Sequence, residues 1–91
     1  MTAEQLLAAA GYKIVSRIEF DAASDIPAGM RKVADGVLAK WGGDFICYDP
    51  AGGDDGWLII DDNRETVIGE TVEHLGRHEA ETKPPAQASL F

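Results

Sequence analysis

The sequence of 91 residues predicts an α+β fold, a small three-stranded sheet packed with two to three helices and followed by a tail. Segments with helical spacing alternate with short runs of strand-forming residues, and the apolar fraction of 45% is typical of a globular protein. A polar, proline-containing run then separates the last five residues from the rest. We expect residues 1–78 to form one acidic domain and residues 79–91 to form a flexible tail.

The first two predicted elements are a helix and a strand. Thr2 and Gln5 have the spacing of a capping box and Gly11 is a typical helix stop, so we expect a helix over 3–10. Apolar and polar residues alternate over 12–20, and this period of two predicts a half-buried strand. The residues on its apolar face are Tyr12, Ile14, Ile18 and Phe20, with Ser16 as the one polar member.

The main helix is predicted over 26–41. Asp25 is a suitable N-cap, and Pro27 suits the first turn because its missing N–H costs nothing there. Gly42-Gly43 ends the segment, and Gly36 within it is expected to mark a close contact with the sheet. The apolar residues at helical spacing, which we expect to face the core, are Ile26, Met30, Val33, Ala34, Val37, Leu38 and Trp41.

A hairpin is predicted after this helix. Two runs of strand-forming residues, 45–48 and 57–60, flank the turn-rich segment 49–56. We therefore expect a β-hairpin with a long, mobile loop. Its second strand begins with Trp57, which, like Trp41, we expect to lie in the core.

The last predicted element of the domain is a helix over 63–78, with Asp62 and Glu65 as its capping box. A strand over 66–70 followed by a shorter helix remains an alternative, because Gly69 and the β-branched residues weaken the helix propensity. The predicted order is α-β-α-β-β-α. The strand order within the sheet cannot be read from the sequence.

Composition excludes several classes of function. A net charge of −8 disfavours direct binding to nucleic acid phosphates or to anionic membranes. No run of 18 apolar residues is long enough to span a membrane, and the start lacks signal-peptide features, so we expect a cytoplasmic protein. The carboxylates around the hairpin are expected to form a solvated acidic surface and not a metal site, since their spacing does not match a calcium-binding loop. They are Asp49, Asp54, Asp55, Asp61 and Asp62.

The sequence contains no convincing catalytic or cofactor-binding pattern. Cys47 lies in an apolar run and is expected to be a buried, inert thiol. His74 and His78 have the four-residue spacing of metal ligands on a helix, but Arg77 disfavours a cation, so solvent-exposed histidines are the better interpretation. There is no phosphate-binding loop. We therefore expect a protein that is not an enzyme and needs no metal or cofactor.

The tail has the features of a peptide that docks on another protein. Residues 79–86 are polar and proline-bearing, and we expect neither helix nor strand there. After them, Leu90 and Phe91 can anchor in an apolar pocket, each contributing about 1.5–3 kcal/mol when buried. Gln87 carries both a donor and an acceptor and can set the register of the peptide. The structural alternative is that Leu90 and Phe91 fold back onto the domain.

The five residues Gln87-Ala88-Ser89-Leu90-Phe91 resemble the bacterial DNA sliding-clamp-binding motif, a short linear motif of polymerases and repair proteins. Its usual form is Gln, often Leu, then Ser or Asp, then Leu-Phe. Ala88 departs from the common Leu. The resemblance implies a non-enzymatic interaction protein that docks on the clamp, as an accessory factor or an inhibitor of DNA replication or repair.

The acidic composition supports an alternative function. The chain would then be a phage- or plasmid-type inhibitor whose globular surface mimics nucleic acid and blocks a nuclease or another DNA-binding protein. The two hypotheses differ in the part of the chain that binds. The first relies on the tail, whereas the second relies on the carboxylates of the domain.

Overall fold

The computed structural model describes the backbone of residues 2–82 and the side chains of residues 2–77. The strands are β1 (Lys13–Ser16), β2 (Phe45–Tyr48) and β3 (Leu58–Asp61). The helices are α1 (Ala3–Ala9), α2 (Arg17–Ala22), α3 (Ala28–Trp41) and α4 (Arg64–Thr82), and a short 3₁₀ helix (Pro50–Asp55) joins β2 to β3. The strands form one antiparallel sheet in the order β1-β2-β3. The α+β class and the three-stranded sheet are confirmed, and the element order differs from the prediction by the additional helix α2 and by the 3₁₀ helix in the hairpin connection.

Helices cover both faces of the sheet. The α2–α3 face buries Phe20, Met30, Ala34, Leu38, Ile46 and Tyr48. The α1–α4 face buries Leu7, Cys47, Val67 and Ile68. The central strand β2 supplies residues to both sets because successive side chains of a strand point to opposite faces.

The predicted strand over 12–20 is wrong in its second half. The strand ends at Ser16, whose hydroxyl accepts a hydrogen bond from the backbone N–H of Glu19, while the Glu19 carboxylate accepts one from the N–H of Ser16. This capping box begins α2 and outweighs the alternating pattern. Phe20 is buried as expected, but Ile18 is 81% exposed because the helix turns it away from the sheet.

The main helix has the predicted end but a different buried face. It begins at Ala28, and Asp25 does not cap it, because the Asp25 carboxylate accepts a hydrogen bond from Tyr48 Oη at 2.8 Å instead. Val33 is 59% exposed and Trp41 is 70% exposed, although both were expected in the core. Gly36 has no neighbour within 4 Å of an added Cβ, so the expected contact with the sheet is also wrong. The fully packed residues are Met30, Ala34 and Leu38.

The last helix confirms the predicted helix over this segment, and the alternative strand over 66–70 is not formed. Its first turn is capped by Asn63 and not by Asp62, since Asn63 Oδ1 accepts a hydrogen bond from the N–H of Glu65 at 2.8 Å. The helix also continues to Thr82, beyond the predicted end at 78. Glu and Ala are good helix formers at 79–81, and a proline restricts mainly the residue before it, here Lys83.

Candidate functional site

The residues predicted to bind a partner, Gln87, Ala88, Ser89, Leu90 and Phe91, lie outside the described residues. The spacer before them is shorter than the sequence suggests. Because α4 reaches Thr82, only residues 83–86 separate this helix from the motif.

The five carboxylates of the predicted acidic surface lie at the two ends of β3. Asp49 follows β2, and its N–H donates to the carbonyl of Trp57 at 3.1 Å, where β3 begins. Asp61 closes β3 and pairs with Phe45 at the start of β2. Four residues of strand separate these ends, a distance of about 13 Å. The end of the sheet at the hairpin therefore carries Asp49, Asp54 and Asp55, whereas the opposite end carries Asp61 and Asp62.

An open pocket of about 730 Å³ lies at the hairpin end of the sheet. Carboxylates on the β2–β3 connection form part of its lining, namely Asp49, Asp54 and Asp55. Aromatic rings from three separate parts of the chain form another part of the lining, which we call the aromatic side, namely Tyr12, Trp57 and His74. Met30, Val33 and Leu58 supply apolar surface, and no lysine or arginine appears among the described residues that line it. We call this the hairpin pocket.

Two of the three pocket carboxylates are held in place by backbone amides. The N–H of Gly29, in the first turn of α3, donates to Asp54 Oδ1 at 2.8 Å, so Asp54 supplies the helix cap that Asp25 was expected to provide. An added Cβ on Gly29 would lie 2.6 Å from the Cβ of Asp54, so this close approach depends on the glycine. Asp49 caps the 3₁₀ helix, because its Oδ1 accepts from the N–H of Ala51 at 3.0 Å.

The aromatic side of the pocket is built around Trp57. Its indole lies parallel to the imidazole of His74, with ring centroids 3.8 Å apart and an interplanar angle of 10°. Its Nε1–H donates to Thr71 Oγ1 at 2.9 Å. The Tyr12 ring lies perpendicular to the His74 ring, with centroids 6.5 Å apart. His74 is thus half-buried in an aromatic cluster, and its expected position as a solvent-exposed histidine is wrong.

The local electrostatics favour a protonated phenol in this cluster. Burial raises the pKa of Tyr12, and the nearby negative charge of Asp49 raises it further. Tyr12 therefore offers a neutral ring and a hydroxyl at neutral pH. The lining of the hairpin pocket is anionic through its carboxylates alone.

The thiol expected to be inert is indeed buried. Cys47 is fully inaccessible on the α1–α4 face, and burial raises the pKa of its thiol, so the reactive thiolate is disfavoured. Among the residues that the structure describes, no group of three His, Cys, Asp or Glu side chains could hold a metal ion. No helix in this part of the chain is both long and apolar enough to cross a membrane.

The hairpin pocket is not predictable from local patterns in the sequence. Tyr12 precedes β1, Trp57 precedes β3 and His74 belongs to α4, so no local spacing connects them. The acidic loop was recognised, but as a solvated surface. The Ser16–Glu19 capping box, by contrast, is a local spacing that can be read in the sequence, although the alternating pattern predicted a continuous strand there.

Comparisons with known proteins identify no relative. No protein-family model matches the chain, and searches of curated proteins and of solved structures returned no significant match.

Proposed function

We propose that this chain is a non-enzymatic interaction protein that docks on the bacterial DNA sliding clamp through Gln87–Phe91. The observation that carries the proposal is the sequence of this pentapeptide after Pro84-Pro85. Leu90 and Phe91 would fill the apolar client pocket of the clamp, and Gln87 would occupy a second subsite. The folded domain would then be brought to the clamp as an accessory factor or an inhibitor of replication or repair.

The length of the spacer favours inhibition. The four residues 83–86 can span at most about 14 Å when fully extended. The end of α4 would be held this close to a client pocket, so the helix and the domain behind it would obstruct other proteins that need the same surface. We therefore propose that docking excludes competing clients by bulk as well as by occupancy of the pocket.

A modest affinity is expected for a single docking event. A peptide that becomes ordered on binding loses conformational entropy, so the tail alone should bind with a Kd on the order of 1–100 μM. The departure at Ala88 removes one apolar side chain from the usual motif. Its replacement by leucine should therefore tighten binding by about three- to tenfold, if the partner retains a site for that side chain.

The direct test is surface plasmon resonance of the full-length protein on immobilised sliding clamp. Leu90→Ala/Phe91→Ala should abolish saturable binding, and Ala88→Leu should strengthen it. Ser89→Ala is the matched control, because it changes the same segment without removing an anchor. Equal binding by all four proteins, or no binding of the wild type at about 100 μM, would refute the proposal.

The alternative of nucleic acid mimicry by the domain has weaker support. Three of its five carboxylates, Asp49, Asp54 and Asp61, are hydrogen-bonded to backbone amides within the domain. The set is also divided between two ends of the sheet. A partner whose binding survives Leu90→Ala/Phe91→Ala but is lost in Asp54→Asn/Asp55→Asn would favour this alternative.

A further inference from the structure

We propose that the hairpin pocket is a binding site for an organic cation, a guanidinium or alkylammonium group carried on a small flat or alkyl body. This goes beyond docking through the tail, because it assigns a ligand class to the folded domain. The volume of about 730 Å³ lies in the range of small-molecule sites. The chemistry of the lining decides which class of ligand fits.

The charges of the pocket select a cation. Asp49, Asp54 and Asp55 line it, while the described lining residues include no lysine or arginine to neutralise them. Asp49 and Asp54 each use one oxygen to accept a backbone N–H, which fixes the direction of the carboxylate. A carboxylate has about four acceptor positions, so both retain capacity to accept hydrogen bonds from a ligand.

The geometry selects an organic cation over a metal ion. Within the part of the chain that the structure describes, no three potential ligands converge closely enough to hold a metal. Carboxylates at three positions of a pocket lining suit a cation whose charge and donors are also spread, such as guanidinium.

The aromatic side of the pocket provides a second interaction with an organic cation, in addition to the carboxylates. A cation within about 6 Å of an indole centroid is attracted by the quadrupole of the ring. The position of the Trp57 indole is fixed by its hydrogen bond to Thr71 and by its stacking on His74. Leu58, Met30 and Val33 provide apolar surface for the carbon body of the ligand.

The test is an NMR titration of the uniformly ¹⁵N-labelled full-length protein with agmatine and with the blocked peptide acetyl-Gly-Arg-Gly-amide. Agmatine represents a free organic cation, and the peptide represents an arginine side chain of a partner. The matching citrulline peptide has the same shape without the charge. The indole N–H of Trp57 is the reporter, and that of Trp41, which lies outside the pocket, is the internal reference.

The expected result is a saturable shift of the Trp57 indole and of the Gly52 and Gly56 amides, with the Trp41 indole unchanged. Asp55→Asn should weaken binding by about two- to fivefold. Asp62→Asn is the matched control, because it removes the same charge from an exposed residue at the opposite end of the sheet and should leave the affinity unchanged.

The two cationic ligands distinguish the source of the cation. Tighter binding of agmatine indicates a free metabolite, and tighter binding of the arginine peptide indicates a side chain of a protein partner. The proposal is overturned if neither cation produces a saturable shift up to about 20 mM. It is equally overturned if the citrulline peptide binds as well as the arginine peptide, or if Asp62→Asn weakens binding as much as Asp55→Asn.

Discussion

The two faces of the sheet use the same three strands but are packed in different ways. On the α2–α3 face, the largest buried side chains are aromatic: Phe20 and Tyr48 meet edge to face with centroids 5.6 Å apart. On the α1–α4 face, the fully buried residues are smaller and include a polar one, Thr71. The α2–α3 face is stabilised mainly by the packing of large side chains. The α1–α4 face combines the packing of smaller side chains with the hydrogen bonds of a buried threonine.

Thr71, on the α1–α4 face, is a polar residue that is buried in the core and makes hydrogen bonds there. Thr71 Oγ1 donates to the carbonyl of Val67 at 2.7 Å and accepts from Trp57 Nε1 at 2.9 Å. Both hydroxyl functions are therefore satisfied, and the burial carries little penalty. The same hydroxyl connects the core of the α1–α4 face to the aromatic side of the hairpin pocket. On the α2–α3 face, the ring of Tyr48 is buried and its hydroxyl donates to Asp25 at the edge of this core, where the contact is only partly buried.

The largest expected effect is the loss of the buried ring on the α2–α3 face. Phe20→Ala should lower the free energy of unfolding by about 3–5 kcal/mol, because it removes the ring and leaves a cavity beside Tyr48. Urea denaturation would measure it, with Ile18→Ala on the exposed side of the same helix as the control. Ile18→Ala should change stability by less than about 0.5 kcal/mol. Similar values for the two variants would contradict the observed orientation of α2.

The next effect tests the hydrogen-bonded link on the α1–α4 face. Thr71→Val keeps the shape but leaves the indole N–H of Trp57 without its acceptor, so stability should fall by about 1–3 kcal/mol. The Trp57 indole resonance should also move. Thr71→Ser retains the hydroxyl and should restore the resonance to its wild-type position. An unchanged resonance in Thr71→Val would show that the hydrogen bond from Trp57 to Thr71 is not formed in solution.

A smaller effect is expected for the edge contact of the α2–α3 face. Tyr48→Phe keeps the ring in the core and removes only the hydroxyl that donates to Asp25, so the expected loss is about 0.5–1.5 kcal/mol. Chemical denaturation of Tyr48→Phe and of Tyr48→Ala separates the contribution of the hydroxyl from that of the ring, since the alanine variant also loses the ring. A loss in Tyr48→Phe as large as that in Tyr48→Ala would show that the hydroxyl dominates this residue's role.

The smallest effect is a pH dependence at the same edge. Hydrogen bonds from Lys13 and then from Tyr48 lower the pKa of Asp25 below its ordinary value of 3.8. The Asp25 carboxylate therefore binds a proton more readily in the unfolded chain than in the folded one. Its contribution to the free energy of unfolding is complete above the unfolded pKa and is lost as the pH falls through the folded pKa. Between about pH 5 and pH 2, the wild type should lose more stability than Asp25→Asn. Equal losses in thermal melts would show that the contact is not formed in solution.

The sequence alone determined the elements whose signals are local. The Thr2–Gln5 capping box and the positive φ of 75° at Gly42 mark the start of α1 and the end of α3 as expected. The two apolar runs of the hairpin also became strands, within one residue of the prediction. These signals depend on hydrogen bonds and backbone sterics over a few residues, so they can be read without knowledge of the fold.

Only the tertiary structure decided which side of each helix is buried and where the pocket lies. Several apolar residues of α3 satisfied a helical pattern, but the sheet accepts one narrow stripe of them and leaves Trp41 in solvent. Asp54 caps a helix 25 residues earlier in the chain, and Trp57 meets His74 across the domain. Such contacts depend on how the elements pack against each other, and the free energy of that packing is set by non-local neighbours that no local pattern contains.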